Sequence, residues 1–488
     1  MATFAPSDAN ANAVARPIPE LPPVINATFP SNDFVMCFSV TRVSVSSASR
    51  PPGPRGLPLF GVLPSLRREG PAFLQRMTRE YGDIVFLPTA GQQVYFLNHP
   101  DFVREVLVTQ QHKFKKSRML ERARVLLGDG LLTSEGTQHR RQRRLVQPAF
   151  HRDRLTGYAE TMVERTLAAR DRWHDGTVYD MSQEMMRLTL DIVSRTLFST
   201  QVDTQADEIA LALKDVFALF DMILMPFSEY LEKLPLPAMR RFHAAKARLD
   251  AVIYGIIAEH RASGKDSGDL LSMLLLAQDE EGEGGMSDVQ VRDEVLTLFL
   301  AGHETTANAL TWGWYLLSQN PDAQTRLRAE LDHVLAGRAP ALEDLPQLPY
   351  TSGVFAEALR LYPPAWAIGR RALENVEFAG FQIPARAVVL LSPFVTHRDP
   401  RWFADPESFR PERWLTEDPE RPKFAYFPFG GGARVCIGER FAGMEGILLV
   451  AAIAQKWTFD LLPGHPVQPQ AQITLRPKFG MKMTAKSA

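Results

Sequence analysis

The 488-residue chain contains only two cysteines, Cys37 and Cys436. Two thiols cannot build a disulfide framework, which points to a reducing compartment and a cytoplasmic location. Charge of either sign is not in excess: 55 Lys and Arg against 56 Asp and Glu leave a formal net charge of -1. A general nucleic-acid binder is disfavoured on that balance. No run reaches the roughly 18 consecutive apolar residues of a membrane span, and the best N-terminal stretch, FVMCFSV at 34–40, falls far short. A secretory signal would put basic residues ahead of an apolar run, but Met1–Asp33 holds a single one, Arg16. Internal repeats are also lacking, and no linker interrupts residues 51–488.

What is present, 45% hydrophobic and 23% charged residues, suits a globular enzyme with a large core. Residues 1–50, rich in Ala, Ser, Pro and Asn, are expected to form a disordered tail, with Met36 as an alternative start. PPGPRGLP at 51–58 then opens one folded domain over 51–488, its prolines favouring an extended backbone. DIVFL (83–87) and QVYFL (93–97) predict a hairpin around the loop PTAGQ. More strand is expected across 376–391, with a turn at Ala379-Gly380. Elsewhere helical patterns dominate, so the fold class is mainly α with small β-sheets.

The longest helix is bounded by a capping box, Ser287 with Gln290, and by Pro321 as a stop. Its middle, LFLAGHETTANAL, places Glu304, Thr305 and Thr306 in an otherwise apolar helix. A buried carboxylate costs desolvation and threonine costs helix propensity, so packing alone does not account for them. Leu298, Ala301, Thr305, Ala309 and Trp312 share one face, against which a flat ligand could lie. The competing explanation is a satisfied hydroxyl, Thr305 bonding back to the Ala301 carbonyl.

Two further clusters bear on that choice. Glu357 and Arg360 lie three apart on one helix, and Arg413 in FRPERW supplies a second guanidinium for the same carboxylate. Cys436 sits in FPFGGGARVCIGERF (427–441), a glycine-rich setting that core packing explains poorly.

FGGGARVCIG (429–438) resembles the haem-binding loop of the cytochrome P450 monooxygenases, matching F-x-x-G-x-R-x-C-x-G from Phe429 through Gly430 to Gly438. AGHETT (301–306), Glu357-x-x-Arg360 with Arg413, GTQHRRQRRLVQPAF (136–150) and PPGPRG are similar to further motifs of that family, in the family's order. The resemblance implies the family's triangular helical prism with a long central helix, haem b as cofactor, and Cys436 as the axial thiolate of the haem iron. Thiolate donation favours O–O cleavage. Glycines 430–432 and 438 would let the chain pass close to the porphyrin and aim N–H groups at the sulfur. Arg434, Arg370, Arg143 and His139 are the implied propionate contacts, and Glu357, Arg360 and Arg413 the structural triad.

The implied reaction inserts one oxygen atom of O2 into a lipophilic small molecule such as a fatty acid, a terpenoid or a similar natural product. Thr305 would hydrogen-bond on the oxygen side of the haem, and Glu304 would help deliver protons. Electrons would come, with NAD(P)H as their source, from a separate ferredoxin or flavodoxin and its reductase. Neither a Rossmann fingerprint nor a four-cysteine iron–sulfur pattern is present in the chain. Arg140, Arg141 and Arg144 are candidate docking cations for that donor. Pocket walls are expected from Leu298, Ala301, Trp366, Ala367, Ile368 and Ile473 and from the stretches near 113–127 and 215–235; the Phe- and Met-rich run 216–237 suits either a flexible roof over a lipophilic ligand or ordinary core. Lys113, Lys115, Lys116 and Arg118 are either a carboxylate anchor or a solvated cluster. Rival readings on the same resemblance are an isomerase or peroxygenase acting on hydroperoxides, and a haem-based ligand sensor.

Overall fold

The computed structural model describes residues 50–89, 91–198, 236–264, 269–277 and 284–488. The expected tail, apart from Arg50, and the pocket segment 215–235 lie outside the described residues. The elements described below all fall within one compact unit, Ala48–Ala488.

Runs rich in β-branched and aromatic residues form β1 (Ile84–Thr89) and β2 (Gln92–Leu97). They pair antiparallel from Ile84↔Leu97 to Thr89↔Gln92. The strands thus run further than the expected five-residue loop allowed, and Gly91 supplies the positive φ, 72°, of the short turn. β3 (Phe114–Lys116), β4 (Ile368–Ala372) and β5 (Val388–Leu391) complete a sheet of order β1-β2-β5-β4-β3. Only the β2–β5 pairing is parallel. Neither β3 nor β4 is expected from sequence, because Lys115, Lys116, Arg370 and Arg371 interrupt their apolar pattern. The turn at Ala379-Gly380, with φ values of 47° and 83°, joins the short strands Val376–Phe378 and Phe381–Ile383. The proline-rich segment 51–56 runs beside β1, where the Pro52 carbonyl accepts the Phe86 N–H at 2.9 Å.

Seven helices frame the site: α1 (Gly136–Val146), α2 (Arg152–Arg170), α3 (Met181–Phe198), α4 (Pro237–Ser263), α5 (Asp288–Ser318), α6 (Pro349–Leu361) and α7 (Glu439–Ala454). Helix α5 is the long central one, 31 residues, and both bonds of its Ser287–Gln290 capping box are made. α3, α4, α6 and α7 all pack against it. Trp312 near its C-terminal end is fully buried and stacks on Tyr362 with ring centroids 4.0 Å apart. Full burial of side chains this size supplies about 2–3 kcal/mol each. The helix is buried on either side of its middle, where Ala301 is exposed and Gly302 and Thr305 are half-buried.

Candidate active site

The Glu357 carboxylate, fully buried on α6, is the most heavily bonded acid of the site. Arg360 donates to it twice at 2.8 Å, Arg413 Nε at 3.2 Å, the Arg410 N–H at 2.9 Å and the Trp414 indole at 2.9 Å. Arg360 continues to the carbonyls of His397 (2.8 Å), Pro406 (2.6 Å) and Ser408 (3.0 Å). His397 carries the network on to the cysteine loop, because its Nε2 accepts the Phe427 N–H at 2.9 Å. Burial, with Arg360 next, holds the His397 imidazole well below the usual histidine range, in the neutral form this bond needs.

The loop itself is closed by Cys436 N–H donating to the Phe429 carbonyl at 3.0 Å and Gly430 N–H to that of Phe427 at 2.9 Å. Gly430 takes φ 75° and lies against Ile368. Gly432 makes room for protein. At φ 67°, a β-carbon there would stand 1.8 Å from the Leu107 carbonyl oxygen, and one at Gly431 would meet the Phe424 ring at 2.6 Å. These two glycines admit neighbouring protein. Gly438 does aim its N–H at the sulfur. Burial pushes the Cys436 thiol up, and that N–H bond works against the shift. Cys436 is deeply placed and nevertheless exposed, so its thiol opens onto an interior cavity.

Cations gather beside this cavity. Arg434 donates to the Ser134 carbonyl at 2.8 Å and pairs with Glu135; Arg143 donates to the Val435 carbonyl at 2.8 Å. Arg370 stands directly across the β3–β4 ladder from Lys116. His139 is buried on α1. Burial first, and the positive charge of Arg434 second, push Lys116 down to about 7, Arg370 to about 10 and His139 to about 3. Glu135 is the acid that recurs among these cations. A buried group this short of anions suits a ligand carrying two carboxylates, which the haem propionates would be.

Above the loop, α5 shows which part of its expected face is available. Ala301 is exposed and Thr305 half-buried, although the helix around them is buried. Leu298 is buried, and Ala309 and Trp312 belong to the core, so a flat ligand meets only the Ala301–Thr305 portion. The Thr305 hydroxyl does donate to the Ala301 carbonyl, at 2.7 Å, which leaves its lone pairs to accept. Glu304 is buried and accepts from Thr474 Oγ1 at 2.6 Å. Trp366, half-buried like Ala367 and Ile368, donates from its indole to the Gln472 carbonyl at 2.9 Å; Ile473 beside it is 38% exposed.

Some expectations need correction. Lys113 and Lys115 pair with Glu374 and Glu121, both at 3.2 Å, and Lys116 is buried with its amine on the carbonyls of Leu131, Leu132 and Ser134. Lys113 and Lys115 are thus partly solvated ion pairs and Arg118 is exposed, and Lys116 alone leaves the expected cluster for the interior. Of the α1 arginines, Arg140 and Arg144 are exposed, whereas Arg141 donates to the Gly284 carbonyl at 2.9 Å. Sequence reasoning also missed Glu445 on α7. It is fully buried, and burial pushes its carboxyl up to about 8. The neighbouring Thr306 hydroxyl opposes that shift without completing a hydrogen bond to either oxygen. A glutamate within the otherwise apolar run from Met444 to Ala454 was the available signal.

The comparisons agree with this geometry. The Cytochrome P450 family matches residues 51–483. Cyclooctatin synthase of Streptomyces melanosporofaciens is 45% identical over 429 residues, covering 86% of this chain and 92% of that protein. Cyclooctat-9-en-7-ol 5-monooxygenase of the same organism is 39% identical (86% and 94% covered). Pentalenene oxygenase of Streptomyces avermitilis is 36% identical (86% and 94%). Among solved structures, retinoic acid bound cyanobacterial CYP120A1 superposes with a TM-score of 0.82 at 28% identity, over 91% of this chain and all of that one. The chain belongs to the cytochrome P450 family. It is a haem-dependent monooxygenase that inserts one oxygen atom of O2 into a lipophilic small molecule, and it requires a redox partner. No described helix is long and apolar enough to cross a membrane.

Proposed function

We propose that this monooxygenase hydroxylates a polycyclic terpenoid, and that Cys436 would supply the thiolate that holds the iron of haem b. The observation carrying the ligand assignment is the accessible Cys436 thiol deep in the fold with the Gly438 N–H aimed at it. Arg434, Arg370, Arg143 and the neutral His139 would hold the propionates, His139 by donating a ring N–H. Haem, once bound, supplies the oxygen activation, to which a thiolate contributes electron density. The chain's own part is to orient substrate and move protons. Thr305 would accept a hydrogen bond on the oxygen side, and Glu304 would hold the proton to be delivered.

The terpenoid class is supported by the relatives that act on cyclooctat-9-en-7-ol and pentalenene, and by the apolar character of Ala301, Trp366, Ala367, Ile368 and Ile473. Such walls orient a rigid hydrocarbon by shape. Electrons would reach the haem from NAD(P)H through a ferredoxin or flavodoxin and its reductase, docking near the exposed Arg140 and Arg144.

The deciding experiment compares reduced, carbon-monoxide-bound absorption spectra of wild type and Cys436→His. The long-wavelength Soret band characteristic of thiolate ligation is expected in wild type and lost in the variant. Its absence from well-folded, haem-loaded wild type would remove Cys436 as ligand. Titrating wild type with pentalenene and cyclooctat-9-en-7-ol, read as the substrate-induced Soret shift, tests the terpenoid class.

A further inference from the structure

Ile473 lies in a three-residue turn, Gln472–Thr474, between the paired strands Pro469–Ala471 and Leu475–Pro477. The turn's backbone is fastened on both sides. Trp366 donates to the Gln472 carbonyl at 2.9 Å, Trp312 to the Leu475 carbonyl at 3.0 Å, and the Leu475 N–H to the Pro364 carbonyl at 3.0 Å. Thr474 adds a contact of another kind. Its hydroxyl donates to Glu304 at 2.6 Å and accepts from Asn308 Nδ2 at 3.2 Å. All three side chains are buried. Glu304 and Asn308 are four residues apart, on one face of α5, so they bracket the hydroxyl.

The direction of these bonds matters. Asn308 can only donate through its amide nitrogen, so the threonine's single proton is committed to the carboxylate. The two tryptophans and the Pro364 bond already anchor the backbone of the turn. What the hydroxyl adds is a fixed position for the Glu304 carboxylate relative to Ile473.

We propose that Thr474 is a positioning residue that ties the acid on the central helix to the wall of the substrate cavity, holding the Glu304 carboxylate and the Ile473 side chain in one register. Proton delivery and substrate placement are then linked through one hydrogen bond, and a change at Thr474 disturbs both. The inference rests on the reading of Glu304 as the proton-delivering acid.

The test uses the ferric holoenzyme of wild type, Thr474→Val and Thr474→Ser. Infrared spectra, with the Glu304 band assigned by subtracting Glu304→Gln, report the hydrogen bond to the acid. Binding of 4-phenylimidazole, which needs no knowledge of the natural substrate, reports the cavity wall. Thr474→Val is expected to shift the Glu304 band and to weaken 4-phenylimidazole by up to about tenfold, the share of one hydrogen bond's worth that reaches the cavity wall. Thr474→Ser is expected to restore both. An unmoved band in Thr474→Val, an affinity within about twofold of wild type, or a serine variant that behaves like valine would each overturn the proposal. Should Thr474→Val fail to take up haem, Thr474→Ala removes the same bonds with less bulk and is read in the same way. Peroxide release per NADPH unchanged in Glu304→Gln would instead remove the acid from proton delivery, and the infrared and affinity results would still decide the role of Thr474.

Discussion

Arg434 and Lys116 converge on one atom: the guanidinium donates to the Ser134 carbonyl oxygen at 2.8 Å and the amine reaches it at 3.3 Å. Two cations sharing an acceptor repel each other unless anions lie nearby, and Arg370 across the ladder adds a third charge. Arg370 is the clearest test, because its guanidinium donates to the adjacent Gly369 carbonyl while burial and Arg434 oppose its charge. Arg370→Met should leave the apoprotein as stable as wild type or more so, and should speed transfer of haem to apomyoglobin about tenfold, the equivalent of one charge-assisted hydrogen bond. Unchanged haem transfer would take Arg370 out of the propionate site.

Glu357→Ala leaves Arg360 and Arg413 facing each other with the carboxylate gone and the Trp414 indole and Arg410 N–H unpaired. Breaking a buried pair by removing one partner costs about 3–5 kcal/mol. Because Arg360 also holds the His397 carbonyl, and His397 receives the Phe427 N–H, the loss should reach the cysteine loop. The expected outcome is a protein purified largely without haem. A haem-loaded variant melting within a few degrees of wild type would refute this.

The parts of the site legible in the sequence were those fixed by local spacing. Glu357 and Arg360 share a helix face because they are three apart, and Ser287 caps α5 because Gln290 stands three residues on. Contacts between distant segments were legible only where a recognisable motif marked them, as for Arg413 and Glu357. Nothing near Thr474 in sequence points to Glu304, 170 residues away, and Lys116 reads as one of a run of surface cations until the carbonyls of Leu131, Leu132 and Ser134 are seen to enclose it. Glycine-rich runs were ambiguous for a related reason. A glycine shows that something comes close, and only the fold shows that at Gly432 it is the Leu107 carbonyl.

Glu445 should make stability depend on pH. Its carboxyl titrates at about 8 in the folded protein and near 4.5 when unfolded, so between these values the folded state binds the extra proton. Stability is therefore lost as pH rises from about 4.5 to about 8, with a slope approaching about 1.4 kcal/mol per pH unit from this group. Glu445→Gln keeps the shape and removes the titration. Urea unfolding from about pH 5 to pH 8 should show a flatter profile for the variant, and parallel profiles would show that Glu445 does not titrate in this range.

Thr305 has a hydroxyl whose proton is already given to the Ala301 carbonyl, so its contribution toward the cavity is to accept. A hydroxyl that accepts would hold a hydrogen-bond donor on the oxygen side of the site, and would do so without competing for the proton carried by Glu304. Removing it should spare electron transfer and impair the use of those electrons. Thr305→Ala, supplied with a ferredoxin, its reductase and a terpenoid that produces the Soret shift, is expected to consume NADPH at a rate near that of wild type. Product per NADPH should fall about tenfold or more, with peroxide making up the difference. Thr305→Ser preserves the acceptor and should keep most of the coupling. Coupling unchanged in the alanine variant would mean that the 2.7 Å bond to Ala301 is the whole of this threonine's role.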